Sequence, residues 1–321
     1  MKKSIFFGLS LAATMLASSA SYASADYPKQ PIRLIVPYSA GGVTDLAGRA
    51  LAEQMGHYLG QPVIVENKTG ANGTMGAIQM VNTKPDGYTL SMVPIGIFRM
   101  PHITGASYDP AKDFTYISQV AGFNYYLTVS SKSPWTTLAE FVEHAKTNAG
   151  KVSYGSPGAF SSQHIAMVQL GNEAGLNWTH IPFKGEADAL TAVMGQHVQA
   201  AVGASGAIPY INNGDMRALA TLGDERSAAL PNVPTLKESG YDIVHTSAFG
   251  IIGPKGMPAN VVAKIDEAIE KSMKDPALVK RMDTLGITPL YLNHADYTKT
   301  AMKSVVEEEK TIKSLGDLSS Q

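Results

Sequence analysis

The sequence predicts an α/β protein of two lobes, each a mainly parallel sheet flanked by helices. Three observations carry that expectation. Short β-branched apolar runs alternate with stretches of helical periodicity, the pattern of strand–helix–strand units. Two glycine-rich strand-to-helix turns of matching character occur, at Tyr38–Asp45 and at Tyr154–Ser162. The 321 residues, 44% hydrophobic and 17% charged, are enough for two compact units, each with its own core.

The first 25 residues stand apart from the fold. Lys2 and Lys3 precede an apolar run from Ile5 to Leu16, and Ala23-Ser24-Ala25 supplies a small-x-small site, so residues 1–25 read as a signal peptide cleaved after Ala25, with Ala20 as the neighbouring alternative. The run is well short of the ~20 residues a membrane span needs. Cleavage leaves 296 residues from Asp26 onward and removes two lysines, so a formal charge of −1 becomes −3. A strand at Ile32–Tyr38 then passes through Ser39-Ala40-Gly41-Gly42 into a helix over Thr44–Tyr58, which Gly60-Gln61-Pro62 stops. Val63–Glu66 begins the next strand, a helix follows over Met75–Asn82, and Lys84-Pro85-Asp86-Gly87 turns into a strand at Tyr88–Val93. Further strands are expected at Tyr125–Ser130, Val152–Tyr154, His197–Val202, Arg217–Thr221 and Phe249–Ile252. Further helices are expected at Thr137–Asn148, Ser161–Ala174, Ala187–Met194, Pro258–Lys274, Pro276–Leu285 and Asp296–Leu315.

Composition excludes several functional classes. With 26 basic against 27 acidic side chains there is no electrostatic footprint for nucleic acid or anionic lipid. The absence of cysteine removes disulfides, thiolate metal sites, a thiol nucleophile and a lipid-modified N-terminal cysteine. Export without disulfides fits units large enough to bury a core, and a bacterial periplasm. There is no phosphate loop, and Gly70, Gly73 and Gly76 miss the dinucleotide fingerprint. Gly203-Ala204-Ser205-Gly206-Ala207 ends in alanine and so misses the nucleophile elbow. The eight histidines are scattered without a metal-binding pair, and neither metal nor cofactor is expected.

The two turns are the candidate site. Their glycines bring backbone N–H groups close to a ligand, and a helix start adds unpartnered N–H groups and roughly half a positive charge. In open α/β sheets ligands bind beyond the carboxyl ends of the strands, so two such turns suggest two lobes facing one anion. The plainer reading stands beside it: glycine turns open many helices, and Thr44, Asp45 or Ser161 equally suits an N-cap worth about 1 kcal/mol. His164 lies where it could reach the cleft or bond to backbone. Lys184 could face an anion or sit in solvent.

At this point the residues resemble a family. Pro31-Ile32-Arg33-Leu34-Ile35-Val36-Pro37-Tyr38-Ser39-Ala40-Gly41-Gly42-Val43-Thr44-Asp45 is similar to the opening signature of the tripartite tricarboxylate transporter receptors, the Bordetella uptake gene family. Similar blocks continue in the family's order through Gly60–Asn67, Pro85–Leu90, Tyr108-Asp109-Pro110, Pro182–Gly185, Leu230–Thr235 and Phe249-Gly250 with Gly253-Pro254. The resemblance implies a periplasmic-binding-protein-like (type II) fold whose lobes close on a small organic carboxylate and present it to membrane permease subunits, acting as a monomer without catalysis. It implies a first lobe from residues 26–126 and 248–321 and a second from 127–247, joined by two crossing strands near Tyr126–Ser130 and Thr246–Gly250. By resemblance the carboxylate is held by Tyr38, Ala40, Gly41, Gly42 and Asp45 on one lobe and by Ser156, Gly158, Ser161 and Ser162 on the other, with Ser205 a lesser contributor.

The chain departs from its relatives at two places. Ser247-Ala248 stands where many carry tryptophan, and Gly203–Gly206 where an aspartate loop is common. Both departures imply a roomier or less polar pocket, suited to a bulky or aromatic carboxylate. Arg99 fits either a second ligand carboxylate or a structural carbonyl. Two other functions remain: a carboxylate sensor that docks on a membrane kinase, and an exported hydrolase using Ser205 or Ser161 with His164.

Overall fold

A computed structural model describes residues 27–183 and 185–315 of the chain; the signal-peptide expectation and Lys184 fall outside them. The chain runs β1 (Ile32–Val36), α1 (Val43–Leu59), β2 (Val63–Asn67), α2 (Met75–Met80), β3 (Thr89–Pro94), α3 (Gly96–Thr104) and β4 (Phe114–Asn124). It continues through β5 (Tyr126–Ser130), α4 (Leu138–Thr147), β6 (Ser153–Ser156), α5 (Ser162–Ala174), β7 (Thr179–Pro182), α6 (Glu186–Met194), β8 (Ala200–Gly203), α7 (Ile208–Asn212) and β9 (Met216–Thr221). It returns as β10 (Thr246–Pro254), α8 (Ala259–Met273), α9 (Pro276–Thr284), β11 (Thr288–Leu292) and α10 (His294–Leu315).

Local chemistry explains most boundaries. α1 ends because Gly60 takes the left-handed conformation and returns its N–H to the Gly56 carbonyl. Thr137 and Glu140 close a capping box on α4, and Asp275 with Pro276 opens α9. α8 turns Val261, Val262, Ile265, Ala268, Ile269 and Met273 inward and its lysines and glutamates outward.

Two sheets define two lobes. The first has strand order β11-β4-β10-β3-β1-β2 and the second β7-β6-β8-β5-β9. They are mixed rather than mainly parallel: β1 with β2 and β3, and β6 with β7 and β8, are parallel. β10 with β3 and β4, β11 with β4, and β5 with β8 and β9 are antiparallel. The reversal arises because β4, β5, β9 and β10 carry the chain between lobes without a crossover helix. Tyr125 alone separates β4 from β5. On the way back, Leu222 donates to the Tyr125 carbonyl at 2.8 Å and His245 to the Leu222 carbonyl at 2.7 Å, so the two passages are stitched together.

β4 and α3 were not expected. β4 is buried from Tyr116 to Phe123 yet carries Ser118 and Gln119, whose side chains donate to Asp266 and the Leu290 carbonyl. Polar residues satisfied across the sheet blur the apolar run that reveals a strand. α3 contains Pro101 and begins at Gly96, both of which argue against a helix. β11 is an edge strand, where Pro289 is tolerated. At Gly250 a Cβ would lie 2.0 Å from the Tyr297 hydroxyl, so α10 reaches the sheet only because that position has no side chain.

Candidate functional site

The first turn is built from behind. Asp45, 1% exposed, accepts from the Gly41 N–H at 2.8 Å, Arg49 Nε at 2.9 Å and Asn67 Nδ2 at 2.7 Å. Asn67 also donates to the Tyr38 carbonyl at 2.9 Å. Burial alone would raise the Asp45 carboxyl, but the bonds from Arg49, Asn67 and Gly41 hold it below the usual carboxylate range. The Asp45 carboxylate and the Gly41 N–H, both expected at the ligand, bond to each other within the turn. The Gly42 N–H likewise donates to Ser39 O at 3.2 Å. Ala40 and Gly42 are exposed, and α1 opens at Gly42 with no side-chain cap, leaving its first-turn N–H groups free of one. Tyr38 is half-buried, edge-on to Phe249, with its hydroxyl packed so tightly on Gly73 that a Cβ there would lie 2.7 Å away.

The second turn is held by imidazoles. Ser156 is fully buried, its hydroxyl 2.7 Å from His180 Nε2 and 2.9 Å from the Gly158 carbonyl, so it too braces the turn. Phe160 sits at φ 63, in the left-handed region, and its N–H donates to His164 Nδ1 at 3.0 Å. The His164 ring lies parallel to His180 with centroids 3.8 Å apart, and burial lowers both imidazoles to about 4. Both are therefore neutral near pH 7. Because Nδ1 of His164 accepts, its proton is on Nε2, a buried atom without a hydrogen-bond partner among the described residues. Ser161 caps α5 by accepting the His164 backbone N–H at 3.2 Å.

The lobes meet around a buried polar chain that sequence reasoning largely missed. Arg99, 2% exposed on α3, donates Nε and Nη2 to the Glu308 carboxylate of α10 at 2.7 and 3.0 Å. Its Nη1 crosses to the second lobe, 3.2 Å from the Phe160 carbonyl and 3.4 Å from Ser162 Oγ. The buried Tyr125 hydroxyl lies beside Ser162 and Ser247, whose polar side chains offset part of the rise that burial imposes on it. Burial raises the Tyr38 hydroxyl well above its ordinary value, and the nearby Tyr125 adds to the rise. Phe160, Ile165 and Val168 pack with Ile312 of α10 beside this chain. Arg99 thus takes both a structural carbonyl and a carboxylate belonging to the protein. Ser205 lies against Gly286 of the first lobe, where a Cβ would come within 2.5 Å of its own. Behind it Glu186 accepts the Ala204 N–H at 2.9 Å and that of Gly206, and burial raises its carboxyl to about 7. Glu308 gave no signal because it sits in the run Glu307-Glu308-Glu309, which reads as a solvated face.

Two α/β lobes joined by stitched crossing strands, each with a glycine-rich strand-to-helix turn and with the start of α5 meeting a buried arginine of the other lobe, define a solute-binding receptor. The chain matches the family model described as the tripartite tricarboxylate transporter family receptor over residues 47–317 and belongs to that family. It is 42% identical over 306 residues to the UPF0065 protein in the gbd 5′ region of Cupriavidus necator, spanning 95% of this chain and 94% of the relative. The solved periplasmic binding protein BugD superposes with a TM-score of 0.79 at 31% identity, covering 90% of this chain and 99% of BugD. R. palustris Rpa4515, solved with adipate, superposes at 0.80 with 25% identity, covering 91% and 99%. Among the described residues no helix is long and apolar enough to cross a membrane.

Proposed function

We propose that this chain is a periplasmic receptor that captures a small organic carboxylate between its lobes and delivers it to the membrane permease of a tripartite transporter. The observation that carries the reading is the Arg99 guanidinium, paired with Glu308 in the first lobe and reaching the Phe160 carbonyl and Ser162 at the start of α5 in the second, so that the lobes meet at a helix start. An anion held by both helix starts favours the closed arrangement over the open one, which is the signal a permease reads. The adipate bound by Rpa4515 supports a carboxylate as the ligand class. The contacts proposed for it are Ala40 and the first turn of α1 on one side, and Gly158, Ser161 and Ser162 on the other. Four charge-assisted hydrogen bonds contribute roughly 6–12 kcal/mol before ordering costs, against about 8 kcal/mol needed for micromolar affinity. Small residues at Ser247-Ala248 and Gly203–Gly206 support a bulky or aromatic ligand.

The hydrolase alternative loses its base, since the His164 imidazole is bonded to the Phe160 N–H and not to a serine hydroxyl. A thermal-shift panel of mono-, di-, tri- and aromatic carboxylates on refolded protein, followed by calorimetry, tests the proposal. Stoichiometric binding without turnover is expected. A panel in which no carboxylate moves the melting point, while another class of compound raises it, overturns the assignment.

A further inference from the structure

Three groups that could receive an anion are answered by the protein's own carboxylates. Asp45 takes the Gly41 N–H and Arg49. Glu186 takes the Ala204 and Gly206 N–H groups of the third loop. Glu308 takes Arg99 in a two-pronged pair of 2.7 and 3.0 Å, at 8% exposure. Of the five guanidinium N–H groups, one on Nε and one on Nη2 go to Glu308, and Nη1 points to the Phe160 carbonyl and Ser162 Oγ. Arg99 reaches the start of α5, and its charge is already paired with Glu308.

We propose that the Arg99–Glu308 pair makes this a receptor for carboxylates carrying a single negative charge, with Glu308 as the residue that turns away a second ligand carboxylate. The inference rests on the carboxylate reading above. One ligand carboxylate finds uncapped helix N–H groups. A second, reaching toward Arg99, meets a neutral ion pair whose anionic member repels it in a site shielded from water, where like charges a few ångströms apart interact strongly. The apolar remainder of the ligand then lies against Phe160 and the aromatic pair Tyr38 and Phe249.

Calorimetry at pH 7.5 on the refolded mature protein, with hexanoate against adipate and benzoate against terephthalate, tests this directly. The wild type is expected to bind each monocarboxylate at least about tenfold more tightly than its dicarboxylate partner. Glu308→Gln keeps the shape of the side chain and unmasks Arg99, so the mono-to-di preference should fall about tenfold, the dicarboxylate gaining. In the double variant Arg99→Gln with Glu308→Gln, the preference should return toward the wild-type ratio. A purely structural pair would weaken both members of each ligand pair alike and leave the ratio unmoved, and that result overturns the proposal, as does a wild type that prefers the dicarboxylates. If the wild type binds neither kind, the carboxylate reading itself falls, which the wild-type arm alone reveals.

Discussion

Replacing Asp45 by asparagine separates support of the site from contact with ligand. The carboxylate is 1% exposed and accepts three hydrogen bonds, two from neutral N–H groups and one from Arg49. Asparagine fits the space but presents an NH2 group to at least one donor and leaves Arg49 without its counter-charge. Bonds to a charged acceptor contribute about 1.5–3 kcal/mol each, and asparagine can still accept one or two weaker ones, so a net loss of about 3 kcal/mol is expected. At about 2–4 °C per kcal/mol for a chain of this size, the melting temperature falls about 6–12 °C. The pH dependence has a definite sign. The Asp45 carboxyl is held below the ordinary aspartate value of 3.8, so its stabilisation is fully present above that pH and is lost as pH falls through the lower native value. Scanning calorimetry of both proteins from pH 8 to pH 3 should show a constant gap in melting temperature down to about pH 4, narrowing below it. A variant melting within about 1 °C of the wild type at pH 7, or a gap that persists unchanged in acid, refutes the reasoning.

Gly250→Ala puts a methyl group into the Tyr297 hydroxyl and should cost about 3 kcal/mol in urea unfolding; a loss under about 1 kcal/mol shows that α10 moves away freely. Thr137→Ala removes the α4 capping box and should cost about 1 kcal/mol in urea unfolding; a loss under about 0.3 kcal/mol shows that the box contributes nothing. His164, lowered by burial to about 4 against 6.5, should remain neutral in an NMR titration down to about pH 4. Its unfolded form binds a proton first, so its contribution to stability is lost as pH falls from 6.5 toward 4; an NMR midpoint above 6 contradicts the buried tautomer. Glu186, raised by burial to about 7, works the other way, and Glu186→Gln should raise the melting temperature at pH 8 but not at pH 4.5.

Features with a local cause were legible in the sequence. The Tyr38–Asp45 turn, the stop at Gly60 and the amphipathic face of α8 each follow from neighbours within a few residues, and the structure places them as expected. What escaped depends on contacts across the chain. β4 hides its strand character because Ser118 and Gln119 are satisfied by residues far ahead of them. Glu308 becomes a buried partner only when α10 folds back on α3, 209 residues away. The Asp45 and Ser156 side chains bond partly to Asn67 and His180, residues 22 and 24 positions along the chain that the turns themselves do not announce.

Arg99 and Glu308 both belong to helices of the first lobe, and only neutral partners, the Phe160 carbonyl, Ser162 and Tyr125, meet them from the other side and from the crossing. For a receptor that must let go of its cargo, that placement matters. Among the described residues no ion pair bridges the lobes, so on parting the Arg99–Glu308 pair travels intact with one half of the molecule. The rate of opening should therefore be nearly indifferent to ionic strength, and release would proceed alike in dilute and in brackish surroundings.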